Sequence, residues 1–364
     1  VRLVVDGKEY QQFESATVTL ALDALSNTFS FSAGISDQAP PFPFQGGEKC
    51  VAYADGERVL TGYIEVVDIS GSDGSHSIYV QGRDRTADFL DSTIGSLSDF
   101  RPPITLESAV KKVITHLGSD LLVTDNVSPP AFEKGIDLLA PEPGQACGDF
   151  VFALARKRGC LLTSDAHGNM VITRASGTDV DAAIQHLRGS SANNVLTYSV
   201  SHDLSKQFNR YLVLTQQSPV SGDIFGSGGA ASRIVSQLGL QTDGKIRSGR
   251  QLAFLSEGAS NAEYAKLRAL WAANTARSKS RVLGVTVDGY RNQTGNLWGV
   301  NQIVSVESDY AGVHERMLVN TVNFGADGQG GTSTALSLIR QDSYTLSLEE
   351  PVLEVPPETD DIFG

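Results

Sequence analysis

The feature that most constrains this chain is the rhythm of its first eighty residues, where short runs rich in β-branched residues alternate with turn signals. Residues 1–5, 17–22, 28–32, 50–53, 59–67 and 76–81 each fit a strand, and Asp6-Gly7, Asp55-Gly56 and Asp73-Gly74 fit hairpin turns between strands. Six strands in so short a span predict a small barrel or sandwich. Pro40, Pro41 and Pro43 interrupt the pattern and mark a loop.

At Gly82 the period changes from two to that of a helix. Residues 85–90 and 106–117 place apolar side chains at helical spacing, with Leu106, Val110, Val113 and Ile114 on one face, Thr105 as the cap and Gly118 as the stop. A third helix is predicted over 146–158, with Phe150, Ala153 and Leu154 on one side and Gly159 closing it. A hairpin follows, its arms 160–164 and 170–174 joined by the turn 165–169. Residues 83–188 therefore read as an α/β module inserted after a first β-barrel at 1–82.

Strand patterns return at 195–201 and 211–216, followed by a Gly/Ser-rich stretch at 221–232 that reads as a flexible crossing. Ser260 and Glu263 form a capping box for a long helix at about 261–280, with Tyr264, Leu267 and Trp271 as its inward stripe. Strands at 281–287, 302–307, 317–324 and 332–339, with 325–331 as a hairpin loop, complete a second barrel at 189–344. The fold class is mainly β with an α+β insertion. Beyond Arg340 the residues Asp342, Glu349, Glu350, Glu354, Glu358, Asp360 and Asp361 meet no Lys or Arg, and Pro351, Pro356 and Pro357 forbid a regular element. Residues 345–364 read as an acidic tail, with Val352, Leu353 and Val355 suited to extended docking on a neighbouring subunit or other partner.

Charge excludes one function class. The 29 basic residues against 42 acidic ones give a formal charge of −13, which opposes sequence-independent binding to phosphate backbones. Residues 1–10 carry Arg2, Asp6, Lys8 and Glu9 where a signal peptide needs an apolar core, and no run approaches ~18 apolar residues, so the expectation is a soluble protein made in a cytoplasm.

No catalytic, cofactor or metal site is expected. Gln145-Ala146-Cys147-Gly148 overlaps a caspase nucleophile signature, but Asp149 stands where that signature has Gly, and His116 is too near in sequence to be its partner. Cys50, Cys147 and Cys160 read as buried thiols. None of the histidines, His167 and His314 included, has the His-Glu-x-x-His spacing of a zinc hydrolase. Gly226-Ser227-Gly228-Gly229 lacks the Lys-Ser/Thr of a phosphate loop. Lys245, Arg247 and Arg250 form a compact basic cluster, suited either to solvent or to an acidic surface of a neighbouring subunit.

Two stretches carry a resemblance. Gly82-Arg83-Asp84-Arg85-Thr86-Ala87-Asp88-Phe89-Leu90-Asp91, joining a strand to a helix, resembles the corresponding junction of Mu-like phage tail proteins and the wider late-control/VgrG-type hub group. Trp271, Arg281, Val285, Gly289-Tyr290-Arg291, Asn296-Leu297-Trp298, Asn301 and Val304, with the closing strand 332–339 and Arg340-Gln341-Asp342, are similar to the second-barrel segment of those hubs. The resemblance implies a structural hub of a contractile tail baseplate: a homotrimer whose two barrels per chain make a pseudo-sixfold ring. Such a ring adapts a sixfold tube or tape-measure protein above to a threefold central spike below and leaves a channel for DNA. It further implies assembly in the bacterial host cytoplasm, a place in the virion tail among other baseplate proteins, and neither tight nucleic-acid binding nor membrane insertion.

Overall fold

A computed structural model of the chain describes residues 1–10, 13–35, 44–72, 75–95, 100–133, 139, 141–175, 177–216, 235–255, 262–328 and 331–344. The turn Asp73-Gly74, the loop prolines, the Gly/Ser-rich stretch 221–232, Ser260 and the tail 345–364 lie outside the described residues.

The first segment forms β1 (Arg2–Val5), β2 (Lys8–Tyr10), β3 (Ser15–Ala21), β4 (Thr28–Ile35), β5 (Lys49–Ala54), β6 (Glu57–Ser72) and β7 (Ser75–Asp84). Asp6 and Asp55 have φ of 47° and 45°, and Gly7 and Gly56 have 80° and 81°. Two successive left-handed residues make the hairpin turn whose twist matches its strands, which is why Asp-Gly occurs at both places.

A second layer follows with α1 (Thr86–Asp91), α2 (Leu106–His116), β8 (Val123–Asp125), α3 (Cys147–Lys157), β9 (Leu161–Ser164) and β10 (Met170–Thr173). The Thr105 hydroxyl accepts from the Ser108 N–H at 3.1 Å, as its capping position requires. Leu106, Val110, Val113 and Ile114 are all buried against Phe150, Leu154, Met170 and Ile172. β8, unmarked by any periodicity in its three residues, runs parallel to β10.

The rest of the chain supplies β11 (Thr178–His186), β12 (Val195–His202), β13 (Arg210–Gln216), β14 (Val235–Thr242), β15 (Gln251–Leu255), α4 (Ala262–Lys279), β16 (Arg281–Asp288), β17 (Gln302–Ser308), β18 (Val313–Asp327) and β19 (Thr332–Arg340). Here the structure corrects the picture of two separate barrels. Thirteen of the described strands form one sheet in the order β12-β16-β19-β18-β3-β4-β7-β6-β5-β1-β2, with β17 paired to both β18 and β11. The weld is β3 on β18, a seven-pair antiparallel register from Ser15↔Asp327 to Ala21↔Thr321. Neither segment closes on itself through a described strand pairing, so β3 would present a row of unpaired backbone groups, and β18 satisfies them. One apolar core follows the sheet through both segments, with Leu3, Phe29 and Val80 continuous with Ile184, Val285, Phe324 and Leu338.

Two further expectations are corrected by the pairing. β11, read as part of the inserted module, runs parallel to β17 and belongs to the main sheet. β13, read as part of the second barrel, pairs with β14 and β15 in a separate three-stranded sheet. That small sheet is roofed by α4, whose Ala265, Ala269 and Ala273 pack on Tyr211 and Val213. The inward stripe is therefore alanine at a spacing of four. Leu267 is only half-buried and Trp271 turns toward a different cluster with Leu22, Ile303, Leu318 and Ile339, while the Tyr264 side chain lies outside the described set. Alanine is needed because the helix backbone comes very close: a Cβ on Gly239 of β14 would lie 2.2 Å from the Ala265 carbonyl oxygen.

Candidate functional site

The residues with reactive chemistry are placed apart. Cys147 is fully buried in the apolar layer beside Phe150 and Leu154, and burial pushes its thiol above the ordinary range. Cys50 is pushed up to about 12 and Cys160 to about 11, burial being the first cause for both. A thiol held protonated in this way is a poor nucleophile. His167 sits in the exposed β9–β10 turn with its Nδ1 2.9 Å from an Arg58 guanidinium nitrogen. His314 lies on the surface with its Nδ1 2.7 Å from a Glu307 carboxylate oxygen. Among the described residues no group of three His, Cys, Asp or Glu is arranged to hold a metal ion, and no helix is long and apolar enough to cross a membrane.

The two stretches that carry the sequence resemblance are seams. In the first, Asp84 ends β7 and is buried. Its Oδ2 accepts from the Asn27 N–H at 2.8 Å and from the Ser164 hydroxyl, and its Oδ1 accepts from the Thr86 N–H at 3.0 Å. The Thr86 hydroxyl lies 2.5 Å from Oδ1 and 2.9 Å from the Leu25 carbonyl oxygen. One carboxylate thus ties the β3–β4 turn, the start of α1 and the end of β9 together. Burial raises the Asp84 carboxyl above the ordinary aspartate range, against the pull of these donors. On the outer side Arg83 bridges Glu65 at 2.7 Å and Asp91, while Arg85 reaches Asp120.

The second seam joins the last segment to the first. Arg291 pairs with Asp55 and Glu57 beyond the Asp55-Gly56 turn, the Glu57 contact being 2.8 Å. The Tyr290 ring packs edge-on against Phe324, and its hydroxyl donates to the Gly325 carbonyl at 3.0 Å. Asn301, held at a φ of 61°, accepts from the Gly177 N–H at 3.2 Å and donates to the Arg174 carbonyl at 2.9 Å. That side chain fastens the exit of the inserted layer to the β17 strand. Trp298 is buried in the common core.

Two surfaces stand out for contact with other molecules. β12 is the end strand of the main sheet and pairs only with β16 among the described strands, leaving its other edge open. It is exposed along most of its length, with Leu196 60% and Tyr198 44% exposed. Tyr198 and Tyr310 flank His186, at 4.8 and 4.5 Å between ring centres, and Tyr310 is itself 49% exposed. No sequence signal marks this cluster, because His186, Tyr198 and Tyr310 come from three elements and meet only through the sheet. The second surface holds the basic cluster. Arg250 is committed to the Ser205 and Gln207 carbonyls and stacks over Phe208, whereas Lys245 and Arg247 point to solvent.

These observations describe two bonded seams and an open sheet edge, and the chain can be compared with known proteins. Residues 1–84 match the N-terminal domain of the Mu phage baseplate assembly protein GpP-like family, and residues 261–347 match the fourth domain of Mu phage baseplate assembly protein GpP. The baseplate hub protein gp44 of Escherichia phage Mu is 26% identical over 354 residues, covering 96% of this chain and 90% of that protein. The crystal structure of the prophage MuSo2 43 kDa tail protein from Shewanella oneidensis superposes with a TM-score of 0.77 at 29% identity, covering 94% of this chain and 98% of that one. An Escherichia coli type VI secretion component, described as similar to the T4 tail proteins gp27 and gp5, shares the fold alone, with a TM-score of 0.54 at 14% identity over 93% of this chain and 77% of that one. The N-terminal family match ends at Asp84 of the first seam, and Tyr290, Arg291, Trp298 and Asn301 of the second lie within the fourth-domain match, so the chain is similar in both sequence and fold to the Mu-like phage baseplate hub proteins.

Proposed function

We propose that this chain is a structural hub of a contractile phage-type baseplate and that it carries no catalytic activity. The observation that supports this best is the sheet joining the first and last segments, in a chain that aligns with the Mu hub protein over 96% of its own length. A stiff body with a shared core and open sheet edges suits a part whose work is to hold other proteins at fixed angles.

In this reading three copies close into a ring, and the two β-rich segments of each copy present six similar units around the axis, matching a sixfold tube above and a threefold spike below. Tube or tape-measure protein, spike and other baseplate proteins are its partners, and the place of work is the virion tail after assembly in the host cytoplasm. The acidic balance of the chain suits a channel through which DNA passes without sticking.

Light scattering or sedimentation tests the ring. Each chain is 38.8 kDa, so a trimer has a mass of about 116 kDa. A stable monomer at micromolar concentration, or a closed twofold dimer, would refute the hub reading. Purified protein is expected to leave peptidoglycan and peptide substrates unchanged, and turnover abolished by Cys147→Ala would refute the non-catalytic part.

A further inference from the structure

In a chain of charge −13, positive charge is gathered at one end of the small sheet. The segments 203–210 and 243–250 and the C-terminal turn of α4 are knitted there. Asn209 donates from its side-chain amide to the Asp243 and Ile246 carbonyls at 2.9 and 3.0 Å, Gln207 donates to the Ser280 hydroxyl at 2.8 Å, and Arg277 bridges Asp243 at 3.2 Å. Asp243 is buried and already paired with Arg277, so it does not offset the outer charges. Around this knot Lys206, Arg210, Lys245 and Arg247 are all exposed. None of the four makes an ion pair among the described residues, although Lys206 lies near enough to the exposed Asp203 to lower its carboxyl, after the Ser205 hydrogen bonds.

The described chain ends near the C-terminal turn of α4. Tyr344 donates to Asp23 Oδ2 at 2.9 Å, and the Lys279 ammonium lies 3.1 Å from the same oxygen. Lys279 is two residues beyond Arg277, which bridges to the 243–250 segment. The last described residue and the 243–250 segment are thus both anchored, on different sides, to the C-terminal turn of α4. Six carboxylates, Glu349, Glu350, Glu354, Glu358, Asp360 and Asp361, lie in that following stretch with no base among them. Glu349 is five residues on, a reach of about 17 Å when extended, and the whole stretch can span roughly 60 Å.

We infer that the basic end formed by Lys206, Arg210, Lys245, Arg247 and Lys279 is the docking surface for the acidic segment 349–361 of the same chain. Charge complementarity and the exit point carry the inference, which stands whether or not the hub reading does. The docked segment cancels the positive charge of this surface, which would otherwise attract nucleic-acid phosphate.

A zero-length carbodiimide, which joins a carboxylate to a lysine amine only where the two touch, tests it on the full chain. Amide links from residues 349–361 to Lys206, Lys245 or Lys279, in product that runs at single-chain mass on a denaturing gel, are expected. Their yield falls severalfold in high salt, because exposed pairs are screened. The double variant Lys245→Glu/Arg247→Glu, checked for an unchanged melting temperature, is expected to lower the yield about tenfold, and Glu354→Lys/Glu358→Lys added to it restores binding measured as protection of the tail from protease. Links found only at dimer mass would assign the tail to a neighbouring copy and overturn the proposal, as would links that avoid these lysines. Deleting 349–364 supplies a second reading, with weak binding of short duplex DNA appearing in the truncated protein and not in the full chain. If neither form or both forms bind DNA equally, the shielding role is overturned.

Discussion

Asp84 shows how a single side chain can hold three elements. Every group around its carboxylate is a donor, so the site is satisfied only by an acceptor with two oxygens. Asp84→Asn keeps the shape but turns an amide donor toward donors, and the expected loss is about 2–4 kcal/mol in denaturant unfolding. Wild-type stability in that variant would show that the seam rests on packing alone. Asp23 offers a pH test. Burial alone would raise its carboxyl, but Lys279, Tyr344 and Asn320 together outweigh burial and hold it below the ordinary range. A depressed folded value means that its stabilisation is fully present above the unfolded value near ~4 and is lost as pH falls through the folded value. The stability difference between the wild type and Asp23→Asn is therefore expected to shrink between about pH 5 and pH 3, and a difference that is constant with pH would contradict the assignment.

Among the elements, α4 is the one whose position depends most on small residues. Gly239→Ala drives a methyl group into the Ala265 carbonyl, and overpacking of this kind costs about 1–3 kcal/mol, whereas Gly244→Ala meets open space and serves as the control. A melting temperature lowered by both equally would remove the steric explanation. β12 is the element whose exposure is least suited to an isolated chain. Leu196→Lys with Tyr198→Asp removes the half-exposed ring contact of Tyr198 with His186 and is expected to weaken self-association while lowering the melting temperature of the dissociated chain only slightly. Local signals located most elements well: the Asp6-Gly7 and Asp55-Gly56 turns, the Thr105 cap and the hairpin around 165–169 all reflect contacts made within a few residues. The face of α4 that meets the small sheet has no such local mark, because an alanine stripe carries little hydrophobic contrast and Trp271 is buried in a different cluster.

For the whole molecule, the pairing of β3 with β18 means that the two ends of the chain stabilise one another across about three hundred residues. Residues 1–84 produced alone would expose the β3 edge and apolar side chains such as buried Val18, which pairs with Phe324 of the last segment. That fragment is expected to aggregate or self-pair, and adding residues 261–347 in trans should restore solubility. A monomeric, cooperatively melting 1–84 fragment would show that the first segment is a domain on its own.

Local chemistry in the sequence determined the β-rich character, the helical insertion, most strand and helix positions, the acidic balance and the two stretches that mark the relatives of Mu-like hubs. Each of these depends on residues near one another in the chain or on simple counts of charge. Tertiary structure alone decided that the two β-rich segments share one sheet, that β11 leaves the inserted layer, and that β13 joins a sheet roofed by α4. Strand partners are chosen by which edges remain unsatisfied after the chain has folded back, and a backbone edge carries no mark in the side chains that precede it.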